Sequence, residues 1–398
     1  MALAVPTSTE FPVLAQEGLV YLDSAATAQT VRPAIEAMDR YYETYRATIH
    51  RSVYPIAAQA TDAYEAARDK VAAFAGAAPG ETVFTRNATE AINLVAYAWG
   101  RANVRPDDLV LTTVMEHHSN IVPWQLLDCE LAYVPIGDDG LLDLDALDAL
   151  LERRPKLVCV AHVSNVLGTI NPLAEIAERA HAAGALVLVD GAQAAPSLPL
   201  DFHALGVDFY AWTGHKAYGP TGIGVLHGRR ELLEAMPPFL GGGHMIARVG
   251  DYESTWAEPP ARFEAGTMPI AEAIGLGAAV DWLASIGMDN VREHGRDVTA
   301  YAVERLAEVE GLTLYGTRDP ERRGSLVAFS FEGVHPHDVA EILGRQGVCV
   351  RAGHHCAQPL MRRLGVPAST RASFAVHATR DDVDRLVEGL ARVQEVFA

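Results

Sequence analysis

Short unbroken apolar runs alternate along this chain with stretches whose apolar residues recur at helical spacing. VLTTVM (110–115), LVCVAHV (157–163), ALVLVD (185–190), DFYAWT (208–213) and GIGVLHG (222–228) have the length and continuity of strands buried on both faces. PLAEIAERAHAAG (172–184) keeps a helical period and closes on Gly184, a natural C-cap. Such alternation predicts an α/β fold, a mostly parallel sheet with helices on both sides. Beyond about residue 285 the pattern changes. VTAYAVERLAEVEG (298–311), HPHDVAEILGRQG (335–347) and RDDVDRLVEGLARVQEVF (380–397) read as helices, and SLVAFSF (325–331) and VCVRAG (348–353) as strands. A smaller α+β lobe is expected there. The length of 398 residues suits this division: a large domain over 21–284, and a small one from 1–20 and 285–398.

The formal net charge of −19 argues against nucleic acid and anionic membrane as partners, since both need clustered positive charge. Much of the excess falls on helix-like surface such as DDVDRLVEGL, where it serves solubility. MALAVPTSTEFPVLA lacks the basic start and long apolar core of a signal peptide. No apolar run reaches the ~18–20 residues of a membrane helix. Cys129, Cys159, Cys349 and Cys356 form no CxxC pair, so neither a disulfide framework nor a structural zinc site is expected. Free thiols fit a cytoplasmic protein, and the first three cysteines read as packing.

Ligands of such sheets gather at the carboxyl ends of the strands. ALVLVDGAQAA delivers Asp190 as the first charge after a fully apolar run, and burying a carboxylate is costly unless a positive group meets it. A helix N-cap is the plainer reading of that Asp. WTGHKAYGPTGIG sets Lys216 just past the next run, boxed by Gly214, His215, Gly219 and Pro220. Together they match pyridoxal phosphate (PLP), which needs a lysine for its aldehyde and an acid for its ring nitrogen. FTRNATEAINLVAYAW puts Asn87 and Thr89 at the mouth of a helix, where backbone N–H groups favour an anion. Thr213 and His215 are expected to complete a phosphate cradle. No GxGxxG or Walker motif competes for a nucleotide.

Two further stretches carry polar chemistry. MEHHSNIVPW (115–124) places His117 and His118 at a strand end, either as metal ligands with His354, His355 and Cys356 or as a face against a flat cofactor. HVSNVLGT (162–169) offers Ser164 and Asn165 to a ring oxygen or a substrate carboxylate. From its own stretch, RAGHHCAQP (351–359), Cys356 reads as metal ligand, structural thiol or nucleophile. As a nucleophile it would draw on Arg351, His354 and His355 to favour its thiolate.

With these residues assembled, the chain resembles the Suf-type cysteine desulfurases, within the class V aminotransferases of PLP fold type I. The likeness runs from YLDSAATAQ (21–29) through HRSVYPIAAQATDAYE, RNATEAINLVA, MEHHSNIVPWQ, HVSNVLGTINPL, VDGAQAA, TGHKAYGPTGIGVL, RFEAGT, RAGHHCAQPLM and RAS to the C-terminal helix. It implies a seven-stranded sheet in the large domain, PLP as cofactor and a homodimer. It assigns Lys216 to the covalent link with PLP, Asp190 to the ring nitrogen, His117 to the ring face and Gln193 to the ring hydroxyl. Ala88, Thr89, Thr213 and His215 fall to the phosphate, with Thr267 from a second subunit. Asn165 and Arg371, with Arg351 nearby, fall to the substrate carboxylate.

The resemblance also makes Cys356 the acceptor of sulfur from L-cysteine, leaving L-alanine and a persulfide for iron–sulfur assembly. A selenocysteine lyase is the alternative within the same cofactor chemistry. The persulfide would pass to a SufE-like or zinc-bearing SufU-like protein, and VHPHDVA (334–340) suggests His337 as a ligand to that partner's zinc. Departures from the family pattern are RNAT for the commoner RGTT, which replaces a hydroxyl by Ala88, GTMPI for GTPN beside Thr267, and AVHAT (375–379) for an aromatic-Asn-Thr string.

Overall fold

The computed structural model describes residues 7–397; the opening MALAVP of the stretch expected to hold no signal peptide lies outside the described residues. Seven strands form one sheet: β1 (Thr82–Thr85), β2 (Leu109–Thr113), β3 (Glu130–Val134), β4 (Leu157–Ala161), β5 (Leu186–Asp190), β6 (Phe209–Thr213) and β7 (Gly224–Gly228). Their order is β1-β7-β6-β5-β4-β2-β3. Strand β7 runs antiparallel to both β1 and β6, and the remaining pairs are parallel. The unbroken apolar runs follow from burial on both faces. Val158, Val160, Val187, Val189, Tyr210 and Trp212 enter one core, and Leu157, Cys159, Leu188, Phe209 and Ala211 the other.

Helices α1 (Arg32–Arg40), α2 (Pro55–Phe74) and α5 (Ile270–Ile286) pack together over the first face. Their approach is close because Gly277 of α5 lies against Ala67, where a Cβ would stand 2.9 Å from the alanine methyl. Helix α3 (Ala88–Leu94) and the helical turns that follow it to Asn103 cover the second face. Helix α4 (Leu173–Ala182) ends as expected, with Gly184 at φ 83°.

The C-terminal part builds a four-stranded antiparallel sheet from β8 (Leu312–Tyr315), β9 (Leu326–Phe331), β10 (Arg351–Gly353) and β11 (Ser369–Ser373), in the order β8-β9-β11-β10. Helices α6 (Met288–Ala307), α7 (Pro336–Arg345) and α9 (Arg380–Phe397) pack on it, with α8 (Gln358–Leu364) following β10. The reading of VCVRAG as one strand is corrected. Val348–Cys349 pairs in parallel with Val20–Tyr21, whereas Arg351–Gly353 pairs antiparallel with β11, so the segment changes partner at Val350. The change brings the segment after Tyr21 to the junction, where Asp23 bridges Ser373. A second tie joins the small sheet to the loop after β4: Gly324 N–H donates to Gly168 O at 2.7 Å, and Ile170 N–H to Arg322 O at 2.9 Å. Among the described residues no single helix is long and apolar enough to cross a membrane.

Candidate active site

The carboxyl ends of β2, β4, β5 and β6 open on one cavity of about 250 Å³. Strand β5 delivers Asp190 buried at its tip, with Oδ1 accepting the Ala192 N–H at 3.0 Å. The tight turn after it needs glycine, because a Cβ at Gly191 would fall 2.1 Å from the Tyr210 ring. Burial holds Asp190 above its usual value, opposed by the Ala192 N–H and the charge of Lys216. Lys216, one turn past β6, is brought down from 10.5 to about 8, first by burial. A carboxylate short of partners and an amine poised to lose its proton thus share one wall-lined space.

His117 faces the same cavity. Its Nδ1 accepts the Ser119 N–H at 3.1 Å, which leaves the ring proton on Nε2. Burial, then Lys216, pushes His117 down to about 3, so the ring is neutral. Beneath it lies a residue the sequence reading passed over. Glu116 is fully buried and accepts from Thr113 Oγ1 at 2.7 Å, Asn120 Nδ2 at 2.7 Å and Ala161 N–H at 2.8 Å. It fastens the end of β2 to the end of β4, and burial raises it to about 7. The available signal was a carboxylate immediately after an apolar run, the same signal that exposed Asp190.

At the other end of the cavity lie Ala88, Thr89, Thr213 and His215. Asn87 lines it too, but its Oδ1 caps α3 by accepting the Glu90 N–H at 2.9 Å, so its oxygen organises the helix end. The first N–H groups of a helix have no partner within it, and here those belong to Ala88 and Thr89. Helix α3 reaches the sheet because Gly224 has no Cβ, which would otherwise stand 2.4 Å from Asn87 Cα. The buried hydroxyl of Thr213 has no hydrogen-bond partner. His215 Nδ1 lies 3.1 Å from Thr27 Oγ1, a hydroxyl the sequence reading did not single out. Orphan N–H groups, an orphan hydroxyl, a buried lysine and a buried carboxylate are the groups that PLP needs for its phosphate, its aldehyde and its ring nitrogen. Gln193 also lines the cavity and donates to Ala25 O at 2.8 Å.

Arg371, buried on β11, donates from Nη1 to Asn165 O at 2.8 Å and from Nη2 to Asp23 Oδ1 at 3.3 Å, while its Nε has no partner. Burial lowers it to about 10. Asn165 donates its own amide to His355 O at 2.7 Å. Arg351 lies opposite Arg371 in the β10–β11 register, exposed, and its charge depresses Lys216 and His117. Ser164 is corrected: its hydroxyl accepts the Leu167 N–H at 3.1 Å within a turn, fully buried and away from the cavity.

Cys356 is half-buried on the loop between β10 and α8. His355 and Cys356 are both left-handed, at φ 51° and 55°. His355, expected to favour the thiolate as a cationic or hydrogen-bonding neighbour, is pushed down to about 3 by burial and stays neutral, so the cationic role falls away. Cys159 is buried in the second core and Cys129 is half-buried against it, while Cys349 is half-buried on the short strand paired with Val20–Tyr21. Thr267 does not reach this cavity within one chain; it lines another, with Arg51 and His244. His337 is exposed at the start of α7, its ring 5.3 Å from that of His335. Among the described residues no three His, Cys, Asp or Glu side chains cluster to hold a metal.

The class-V aminotransferase family model matches residues 20–386. A cysteine desulfurase of Dickeya dadantii is 49% identical over 398 residues, covering 98% of this chain and 96% of its own. One from Haloferax volcanii is 47% identical over 386 residues, covering 96% and 90%. Among solved structures, the cysteine desulfurase CsdA of Escherichia coli superposes with a TM-score of 0.92 at 41% identity, and the apo cysteine desulfurase of Thermococcus onnurineus NA1 with 0.94 at 39%; each covers 99% of both chains.

Proposed function

From the premise that this chain belongs to the class-V aminotransferase family and is a PLP-dependent cysteine desulfurase acting on L-cysteine, we propose that Cys356 takes the sulfur and that Lys216 moves the α-proton. When bound, the cofactor supplies an electron-withdrawing ring that lets the proton on the substrate's α-carbon leave. Asp190 would keep the ring nitrogen protonated, and the neutral His117 ring would face the cofactor across the cavity. Ala88 and Thr89 backbone N–H groups, the Thr213 hydroxyl and His215 take the phosphate, joined by Thr267 from a second copy. Gln193 meets the ring hydroxyl. Lys216, brought to about 8, is a base matched to neutral pH.

Arg371 clamps the substrate carboxylate, with Asn165 beside it and Arg351 adding charge at the entrance. The Cys356 thiolate attacks the sulfur of L-cysteine. An S–S bond forms, the C–S bond breaks with its electron pair on carbon, and protonation there yields L-alanine. The observation that carries this reading is the relay Arg371–Asn165–His355. It joins the carboxylate clamp and the Cys356 loop in one hydrogen-bonded unit.

The test is alanine released from L-cysteine by the PLP-loaded protein, with Cys356→Ala beside it. Wild type should form alanine and a protein persulfide, and the variant neither. Alanine production by Cys356→Ala sinks the assignment. The persulfide then goes to a SufU-like or SufE-like acceptor in the cytoplasm for iron–sulfur assembly. Exposure of His337 beside His335 favours the zinc-bearing kind. Undiminished transfer to a zinc-bearing acceptor by His337→Ala would remove that role. Support for the homodimer is Thr267, which does not line the cavity of its own chain, together with exposed Val53, Tyr252 and Trp256. Sedimentation as a monomer would count against it. The division into 21–284 and 1–20 with 285–398 is supported by the separation of the two main sheets along the chain.

A further inference from the structure

The Cys356 loop holds two consecutive non-glycine residues in the left-handed region, a conformation that persists only when its surroundings impose it. From the small lobe, His355 Nε2 lies 3.1 Å from both the carbonyl and the hydroxyl of Ser369. Within the loop, Cys356 N–H donates to His354 Nδ1 at 3.1 Å. From the large lobe, Asn165 holds the His355 carbonyl. The remaining grip belongs to His118, to which the reaction described above gives no task. Its backbone N–H donates to the Cys356 carbonyl at 2.7 Å. Its ring Nε2 accepts the Gln358 N–H at 3.1 Å, one of the unpartnered donors that open α8.

His118 therefore grips the loop at the nucleophile and again two residues beyond it. It is also the covalent neighbour of His117, whose ring lines the cofactor cavity. We infer that His118 is a positioning residue: the His117–His118 pair sets the distance between the cofactor and Cys356, one residue on each side of the gap. The contact requires a neutral ring with its proton on Nδ1, because Nε2 is the acceptor. The inference rests on the reading of Cys356 as the sulfur acceptor.

The experiment uses PLP-loaded His118→Ala, His118→Gln and Cys356→Ser beside wild type. Three things are read: alanine formed from L-cysteine, the cofactor absorbance, and the rate at which iodoacetamide alkylates Cys356 with no L-cysteine present. Displacing a reacting atom by about 1 Å costs roughly a hundredfold in rate, so alanine formation in His118→Ala should fall by about that factor. KM for L-cysteine should stay within about twofold and the absorbance should not move, because ground-state binding is untouched. Alkylation should become faster as the loop loosens. His118→Gln, whose amide oxygen can accept from Gln358, should recover most of the lost rate and the slow alkylation. A His118→Ala protein with wild-type turnover overturns the inference. So does one whose KM and absorbance shift along with the rate, or a His118→Gln no better than Ala. If Cys356→Ser still releases alanine, the reading of the nucleophile has failed instead.

Discussion

The side-chain amide of Asn165 reaches the carbonyl of His355 at 2.7 Å, from a loop of the large sheet to the loop that carries Cys356. The carbonyl of the same Asn165 receives Arg371 at 2.8 Å. Removing the amide should therefore act on the nucleophile through the loop. Asn165→Ala is expected to lower kcat, because a lost hydrogen bond to a buried carbonyl costs ~1–3 kcal/mol. That is about five- to 160-fold if expressed wholly at the sulfur-transfer step. Steady-state kinetics check it: a rise in KM alone, with kcat intact, would mean that Asn165 serves only the substrate carboxylate.

Thr213 offers a cleaner separation of cofactor binding from folding. Its hydroxyl is buried without a hydrogen-bond partner on the chain itself, which favours replacement by an isosteric apolar side chain where no ligand meets it. Thr213→Val should leave the melting temperature of the cofactor-free protein unchanged or higher. The same change should weaken PLP binding by roughly tenfold or more, since a hydrogen bond to a charged group contributes ~1.5–3 kcal/mol. Titration of the cofactor by absorbance, paired with a thermal melt, reads both. Unaltered cofactor affinity would remove Thr213 from the phosphate site.

Lys216 makes a prediction about pH. Its ordinary value of 10.5 falls to about 8 in the folded chain, mainly through burial. Between those two values the unfolded chain holds a proton that the native chain has released, so native stability rises with pH across that window. Below pH 8 both states are protonated and the penalty of the buried charge is felt in full. Lys216→Met should therefore stabilise the cofactor-free protein at pH 7, by up to ~3 kcal/mol on the scale of 1.36 kcal/mol per unit. The advantage should shrink from pH 8 upward and vanish near 10.5. Urea melts at several pH values would detect it, and a variant less stable at pH 7 would contradict it.

The parts of the site written in single runs were readable from the sequence. Asp190 and Lys216 each follow an apolar run, and the parallel sheet sets neighbouring strand ends side by side, so adjacency in space follows from order along the chain. Asn87 was found by the right signal, a polar residue at a helix mouth, but capping and phosphate binding look alike in sequence, and the Oδ1 went to Glu90. His355 was misread because its charge depends on burial, which a run of Gly, His and Cys does not disclose. Thr27 and Glu116 were missed for a related reason. Each acts on another site residue or strand end, across 188 residues for Thr27–His215 and 45 for Glu116–Ala161; nothing local marks Thr27, whereas Glu116 carries the signal of a carboxylate after an apolar run but not the strand end it reaches. The partner change at Val350 likewise depends on where Val20–Tyr21 comes to lie.

Arg68 and Glu264 form a fully buried pair at 2.6 Å and 2.8 Å, and the carboxylate also accepts the Phe84 N–H at 2.8 Å and Tyr64 Oη at 3.2 Å. Arg68 in turn donates to Thr82 O at 2.9 Å, so the pair fixes the first strand of the large sheet to α2 and to the segment leading to Thr267. Arg68 Nε also donates to the half-exposed Glu65 at 3.0 Å, so loss of Glu264 leaves the buried guanidinium with only that partly solvated partner, and loss of Arg68 leaves the Glu264 carboxylate stranded away from water. Glu264→Ala should destabilise the fold by ~3–5 kcal/mol, the range for breaking a buried pair from one side. Replacing both, as Arg68→Met with Glu264→Leu, should cost less than the single change, because no charge is then left behind. Denaturant unfolding of the three variants decides the point. If the double variant were less stable than Glu264→Ala, the pair's contribution would lie in its geometry at β1 and not in mutual neutralisation.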